Sequence, residues 1–211
     1  MIAEIVNENW VIGNCSDSLQ KIHHKGINIA IYNRSVDHLS GEIIQLIEKD
    51  IELRASGSIG CIISLIMDEL QSLTAILLLK DIERQLSLFS QIAQSTSYRL
   101  LLATIKSNMC RRFHTDINDL RLLCTYSGLG TLWLTEDNVN RKGLDTYGDN
   151  ECIVLDESRI QQAETGSIVI LKGAIYPQEG TAAIVHRSPS IEETGQRRLL
   201  LRIDTNEKLW T

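Results

Sequence analysis

Apolar residues change their spacing once along this chain, near residue 97. Before that point, "GINIAIY" at Gly26 to Tyr32 alternates Ile27, Ile29 and Ile31 and predicts a half-buried strand. Ser40 stands where a helix cap would, and Ile43, Ile44, Ile47 and Ile51 follow at helical spacing until "RASGSIG" breaks the pattern. A longer helix is expected from about Ser64 to Ala93, because Leu70, Leu73, Leu77, Ile82, Leu86, Phe89 and Ala93 recur every three or four residues with some drift. Residues 1–96 therefore read as mainly helical, with one early strand near 26–32.

From Tyr98 the pattern becomes one of short strands between turn residues: "YRLLLATIK", "CRRFHTDI", "LRLLCTYS", "ECIVLD", "GSIVILKG", "TAAIVHRS" and "RRLLLRID". So many short strands in so little chain predict a sandwich or open barrel over residues 97–204 with the helices packed outside, an α+β fold. Thr135 to Asn150, "TEDNVNRKGLDTYGDN", lacks apolar periodicity and reads as a long loop, a candidate lid. With 211 residues, 43% of them hydrophobic, a single domain over 1–211 with its own core is the expectation.

Charge and cysteine usage narrow the partners. The net charge of −6 comes without any long run of one sign, which argues against a nucleic-acid or anionic-membrane partner. The five cysteines are widely spaced with no C-x-x-C pair, so a disulfide framework is not expected and a reducing compartment is. "MIAEIVNENW" lacks the basic and apolar regions of a signal peptide, and the most apolar stretch, Cys61 to Leu79, is interrupted by Asp68, Glu69 and Gln71. A cytoplasmic protein is expected.

Candidate chemistry centres on "CRRFHTDI". In a strand, residues two apart share a face, so His114 and Asp116 would project together, with Phe113, Thr115 and Ile117 opposite. Of the other histidines only His186, in "AIVHRSP", falls among the predicted strands. Two imidazoles and one carboxylate on one face, with positions left open, are the facial triad of non-haem Fe(II) oxygenases. Cys110 would share a helical face with His114, but on a strand the two would stand roughly 13 Å apart, which makes it a core thiol. Arg121 either lines the site or pairs with Asp119 or Glu136. Tyr126 either offers its hydroxyl to a ligand carboxylate or is a core tyrosine. Trp133 reads better as packing than as a pocket wall. Arg111, Arg112, Arg121, Arg187, Arg197, Arg198 and Arg202 all fall on the site strands, and a positive field there would favour an anionic small molecule.

The order His114-x-Asp116, "GSIVILKG", His186 and then "GQRRLLLRI" resembles the double-stranded β-helix of the 2-oxoglutarate and Fe(II)-dependent oxygenases over about 97–204. The resemblance implies a jelly-roll, cupin-like barrel and Fe(II) held by His114, Asp116 and His186. It also implies 2-oxoglutarate as anionic cosubstrate, its far carboxylate on an arginine about ten residues past the distal histidine. Gly195-Gln196-Arg197 stands in that place. Arg197 shares strand parity with Leu199, Leu201 and Ile203 and is expected to point inward, and Arg198 outward with Leu200 and Arg202, unless a bulge exchanges them. The chain as a whole, with "CRRFHTD", "RLLCTYSGLGT", "LKG", "HRSP" and "RLLLRID" in order, is also similar to the bacterial family called domain of unknown function 1826, over most of residues 1–204. Members of that family tend to be encoded near zinc-homeostasis and metallochaperone genes. These resemblances imply a hydroxylase-type oxygenase of unknown substrate. The rival readings are a non-redox cupin-like protein binding Zn²⁺ through the same residues, with or without Cys110 or Cys124, and a degenerate barrel acting as an interaction module.

Overall fold

Strands from both halves of the chain pair in one sheet. The structure, a computed structural model, describes residues 4–7, 9–146, 148–177 and 180–205. In chain order its elements are β1 (Glu4–Val6), β2 (Trp10–Gly13), β3 (Ile29–Tyr32), α1 (Ser40–Lys49), β4 (Glu52–Gly57), α2 (Ile59–Ser72) and α3 (Ile76–Ala93). There follow β5 (Tyr98–Ile105), β6 (Leu120–Ser127), β7 (Leu132–Trp133), α4 (Arg141–Asp145), α5 (Asn150–Ile153), β8 (Gln161–Gln162), β9 (Ile168–Lys172), β10 (His186–Arg187) and β11 (Arg198–Thr205). The large sheet has the order β1-β2-β3-β9-β6-β11-β5-β4, antiparallel except for the β2–β3 pair, and a small sheet has the order β10-β7-β8.

Three layers result. Leu100 and Leu102 of β5, Leu122 and Cys124 of β6, Ile168 and Ile170 of β9, and Leu199, Leu201 and Ile203 of β11 meet the helices through Leu46, Ile62, Ile66, Leu78, Ile82, Leu86 and Phe89. The opposite face of the sheet meets the small sheet at one end through Ile29, Ile31, Leu123, Val169, Leu171 and Trp133. All five residues of β9 are buried, as expected of a strand covered on both sides and built, Lys172 apart, from β-branched and leucine side chains. No described helix is long and apolar enough to cross a membrane.

Residues 1–96 are less helical than the periodicity suggests, because they supply four strands to the large sheet, including β4 from the expected breaker "RASGSIG". The expected helix 64–93 is two helices. Thr74 adopts a left-handed φ of 54°, and the main-chain N–H groups of Ala75 and Thr74 bond to the carbonyls of Leu70 and Gln71, the paired bonds of a Schellman turn. That turn explains the drift in the stripe: Leu70 and Leu78 both reach the core, but from helices of different direction. Ser40 begins α1 as its first helical residue and Leu39 takes the cap position. Among the expected strands, "CRRFHTDI" pairs only at His114, "ECIVLD" opens as α5, and "TAAIVHRS" pairs only at His186–Arg187.

A buried ion pair ties the helical layer to the sheet. Arg34, just beyond β3, donates from Nη1 to Asp81 Oδ1 at 2.6 Å and from Nη2 to Oδ2 at 2.8 Å, while Tyr126 OH and Gln85 Nε2 donate to Oδ2 at 2.7 and 2.8 Å. Burial on its own would raise the Asp81 carboxyl, but Arg34 and the two neutral donors hold it below the usual carboxylate range. The contribution of Asp81 to stability is therefore complete above the unfolded carboxylate value and is lost as pH falls through the lower folded one. Removing the charge in Asp81→Asn leaves a buried guanidinium without its anion and should cost about 3–5 kcal/mol in urea unfolding at pH 7. The gap to wild type should narrow as the titration is carried from pH 5 to pH 2; an equal gap at both ends would contradict the linkage.

Candidate metal centre

His114 and His186 are each other's main-chain partners. The N–H of each donates to the carbonyl of the other at 3.0 Å, an isolated bridge that extends the small sheet by one residue beyond β10. The backbone on either side of His114 is held from elsewhere. Asn150 accepts from Phe113 N–H at 2.8 Å and donates to the Arg111 carbonyl at 2.9 Å, and Arg112 donates to the carbonyls of Gly148 and Leu144. Two residues on, the Asp116 carbonyl accepts from Ala174 N–H at 2.8 Å. The expected projection of His114 and Asp116 to one side is realised, with Phe113 buried on the other in a small core with Leu134, Ile153 and Val185.

The side chains converge. His114, Asp116 and His186 each offer a ligand atom within 4.8 Å of the other two. His114 Nδ1 lies 2.9 Å from the Arg112 carbonyl and His186 Nδ1 lies 3.4 Å from that of Ile184. A carbonyl only accepts, so both Nδ1 atoms carry the proton, and the Nε2 atoms turn to the carboxylate, at 3.6 Å from Asp116 Oδ1 and 3.2 Å from Oδ2. Neutral imidazoles would aim two lone pairs at an anion, an arrangement that requires a cation between them or protons on the rings. The Asp116 carboxylate accordingly raises His114 against the effect of burial. Burial alone would raise Asp116, but hydrogen bonding to the two histidines and the charge of Arg121 hold it far below the usual range. The donor set, two imidazoles and a carboxylate, suits a divalent transition metal.

Arg121 fixes the carboxylate. It donates from Nη1 to Asp116 Oδ2 and from Nε to Asp204 Oδ1 at 2.5 Å, and Asp204 also accepts from Asn118 Nδ2 at 3.3 Å and lies 3.2 Å from Arg202 Nε. Neither Asp119 nor Glu136 is its partner. The cluster opens into a narrow cavity of about 70 Å³ lined by His114, His186, Arg121, Arg187, Arg198 and Arg202 together with Leu101, Leu123, Leu200 and Thr131. Arg198 is 1% exposed, has no anionic partner among the described residues, and makes one hydrogen bond, from Nη2 to Thr125 Oγ1 at 3.1 Å; its Nε makes none. Burial without compensation pushes it down to about 10. Gly128 shapes this position: its φ is +82°, and an added Cβ would stand 2.8 Å from both the Arg198 Cγ and the Arg197 carbonyl.

Several expected residues lie elsewhere. Arg197 is exposed and donates to the Ile47 carbonyl at 3.3 Å, on the helical side of the sheet. Its parity with Leu199, Leu201 and Ile203 was a sound guide to the more apolar face, but that face meets the helices, and the cavity lies on the other. Tyr126 is likewise on the helical face, bonded to Asp81 and Gln85. Cys124 is buried against Arg34 with its thiol pushed up to about 11 by burial, remote from the histidines, whereas Cys110 is exposed at the cavity rim with a φ of 49°. Trp133 packs edge-on to Trp10. The segment 135–150, apart from Tyr147, which lies outside the described residues, contributes nothing to the cavity lining and instead carries the carbonyls that hold Arg112. The residue not anticipated is Asp204; its shared parity with Arg198, Leu200 and Arg202 was the available signal.

By sequence, no curated protein matches the chain. Among solved structures it is similar to dioxygenase for auxin oxidation 1 from Arabidopsis thaliana in a binary complex with 2-oxoglutarate, with a TM-score of 0.57 at 8% identity over 93% of this chain and 89% of that one. It is also similar to a candidate oxygenase from Shewanella oneidensis, with a TM-score of 0.50 at 15% identity over 90% of this chain and 84% of that one. At these identities the likeness is one of fold. The family model described as protein of unknown function (DUF1826) matches residues 13–204, and the chain belongs to that family.

Proposed function

We propose that this protein is an Fe(II)- and 2-oxoglutarate-dependent oxygenase of the hydroxylase type on a double-stranded β-helix, with residues 1–211 acting as one domain. The observation that carries the reading is the His114-Asp116-His186 cluster opening directly onto the buried, uncompensated Arg198 guanidinium. Iron bound there, with 2-oxoglutarate and dioxygen, supplies conversion of a substrate C–H to C–OH as 2-oxoglutarate is oxidised to succinate and carbon dioxide.

The chain's own residues do the rest. His114, Asp116 and His186 hold the metal from one side and leave its remaining positions toward the cavity. The Nδ1 bonds to the Arg112 and Ile184 carbonyls fix both rings with Nε2 forward, and Arg121, itself held by Asp204, keeps the Asp116 carboxylate from rotating. Arg198 receives the distal carboxylate of 2-oxoglutarate, which supplies the counter-charge the fold withholds, and Thr125 orients the guanidinium. Leu101, Leu123 and Leu200 exclude water around the metal. Met109 and Cys110 are exposed at the rim, on the path by which a five-carbon dicarboxylate would enter. Of the four anion-site candidates read from the sequence, Arg121 and Arg198 keep a part in this reading as support and anchor, although Arg198 is the one expected to face outward; Arg197 and Tyr126 do not.

Metal content after anaerobic purification tests the centre: wild type should retain about one equivalent of iron, and His114→Ala or His186→Ala should lose most of it while keeping the far-UV spectrum. Tight zinc with no visible charge-transfer band on adding Fe(II) and 2-oxoglutarate would favour the non-redox alternative, since the same donors suit zinc. For the cosubstrate, Arg198→Gln should weaken 2-oxoglutarate binding about a hundredfold, or about 2.7 kcal/mol, whereas Arg197→Gln should leave it unchanged in the same calorimetric titration.

A further inference from the structure

A second, more open cavity of about 490 Å³ lies beside the metal pocket, at the β4 edge of the large sheet. Strand register builds it. Arg121, Asp204, Arg99 and Ser56 stand directly opposite one another across β6, β11, β5 and β4, and Leu123, Arg202, Leu101 and Arg54 do the same two residues along. Four guanidinium groups and one carboxylate therefore line this groove, together with the exposed Leu65 of α2. Leu101, Arg121 and Arg202 line the metal pocket as well, so the two spaces share a wall.

The positive charge is only partly consumed internally. Asp204 is already occupied by Arg121 and Asn118. Arg202 Nε is buried without a hydrogen bond, 3.2 Å from Asp204 Oδ2. Among the described residues Arg99 has neither hydrogen bond nor ion pair, and Arg54 has only the solvent-exposed Glu52, at 2.7 Å. A chain of net charge −6 thus sets more guanidiniums than carboxylates, with Arg99 among them unpaired, on one side of its candidate metal centre. Like charges held together on adjacent strands repel, and the arrangement is relieved by an oxyanion bound between them.

We infer that this groove is a second anion site, in which Arg99 and Arg202 grip a carboxylate or phosphate of the substrate and Arg54 closes the rim. The remainder of the substrate then extends past Leu101 toward His114, Asp116 and His186. The identification of the bound molecule as substrate rests on the oxygenase reading; the anion site itself does not. Planar, fork-shaped donors on neighbouring strands suit either oxyanion, and they exclude a neutral or cationic group from the same place.

The test follows arginine Nε–Hε signals of the full chain by NMR during titration with inorganic phosphate, and separately with acetate, at constant ionic strength set by sodium chloride. Signals assigned to Arg99 and Arg202 by their loss in Arg99→Gln and Arg202→Gln should move together along one binding curve, and the tighter anion names the group. Arg99→Gln alters an exposed side chain and should raise the phosphate Kd about tenfold; Arg197→Gln, on the helical side of the sheet, should not change it. Signals that stay still with both anions, or a Kd unaltered in Arg99→Gln, would overturn the inference. Repeating the titration in His186→Ala separates the two readings: phosphate binding kept while metal content is unchanged from wild type refutes the oxygenase alone, and metal lost with no phosphate response in either protein refutes the groove alone.

Discussion

Strand β11 is fully buried on its helical face and partly so on the other, so its alternate residues answer to different neighbours. Leu199, Leu201 and Ile203 are held by the helical layer, and this anchoring fixes where Arg198, Leu200, Arg202 and Asp204 must point. The same division runs through β6, where Leu122, Cys124 and Tyr126 belong to the helices and Arg121, Leu123 and Thr125 to the cavity side. A slip of one residue in either strand would carry charged groups into the apolar layer and leucines into the histidine-lined cavity, a penalty far larger than any single contact provides. The helices thus position the polar face largely from the opposite side of the sheet.

How much of this was legible in the sequence depends on which neighbour each residue answers to. The convergence of His114 with Asp116 was legible because two-residue spacing survives even where the segment pairs at a single bridge, and that of His186 because it is the one other histidine among the expected strands. Arg197 was misread because parity says which residues share a face and not what lies beyond it; with helices on one side and a small sheet on the other, the more apolar face was not the one with the cavity. For Tyr126 the core alternative is the one realised, its hydroxyl satisfied by Asp81 and Gln85. The helix expected over 64–93 broke at Thr74, where a threonine takes the left-handed conformation usually given to glycine and so leaves no composition signal. The strands β1, β2 and β4 are short or lie at the sheet's edges, and "RASGSIG" looked like a breaker because edge strands tolerate polar and glycine residues.

Electrostatics on the cavity side form a chain rather than isolated pairs. Arg121 joins Asp116 to Asp204, Asp204 reaches Arg202, and Arg202 faces both the metal pocket and the groove. Charges that share partners do not act independently, so changes at Asp204 and Asp116 should be non-additive although only Asp116 meets the histidines. Arg198 stands outside this chain, alone in its surroundings.

The bridge between His114 and His186 has a consequence for how the molecule assembles. Their pairing closes a loop that contains β6 to β9, and the β6–β9 and β7–β10 pairs shorten the chain that the bridge itself has to close. Two main-chain hydrogen bonds are the bridge's own contribution. An ion gripped by both imidazoles would staple the two ends, so metal supply would govern the lifetime of the native state as well as its chemistry.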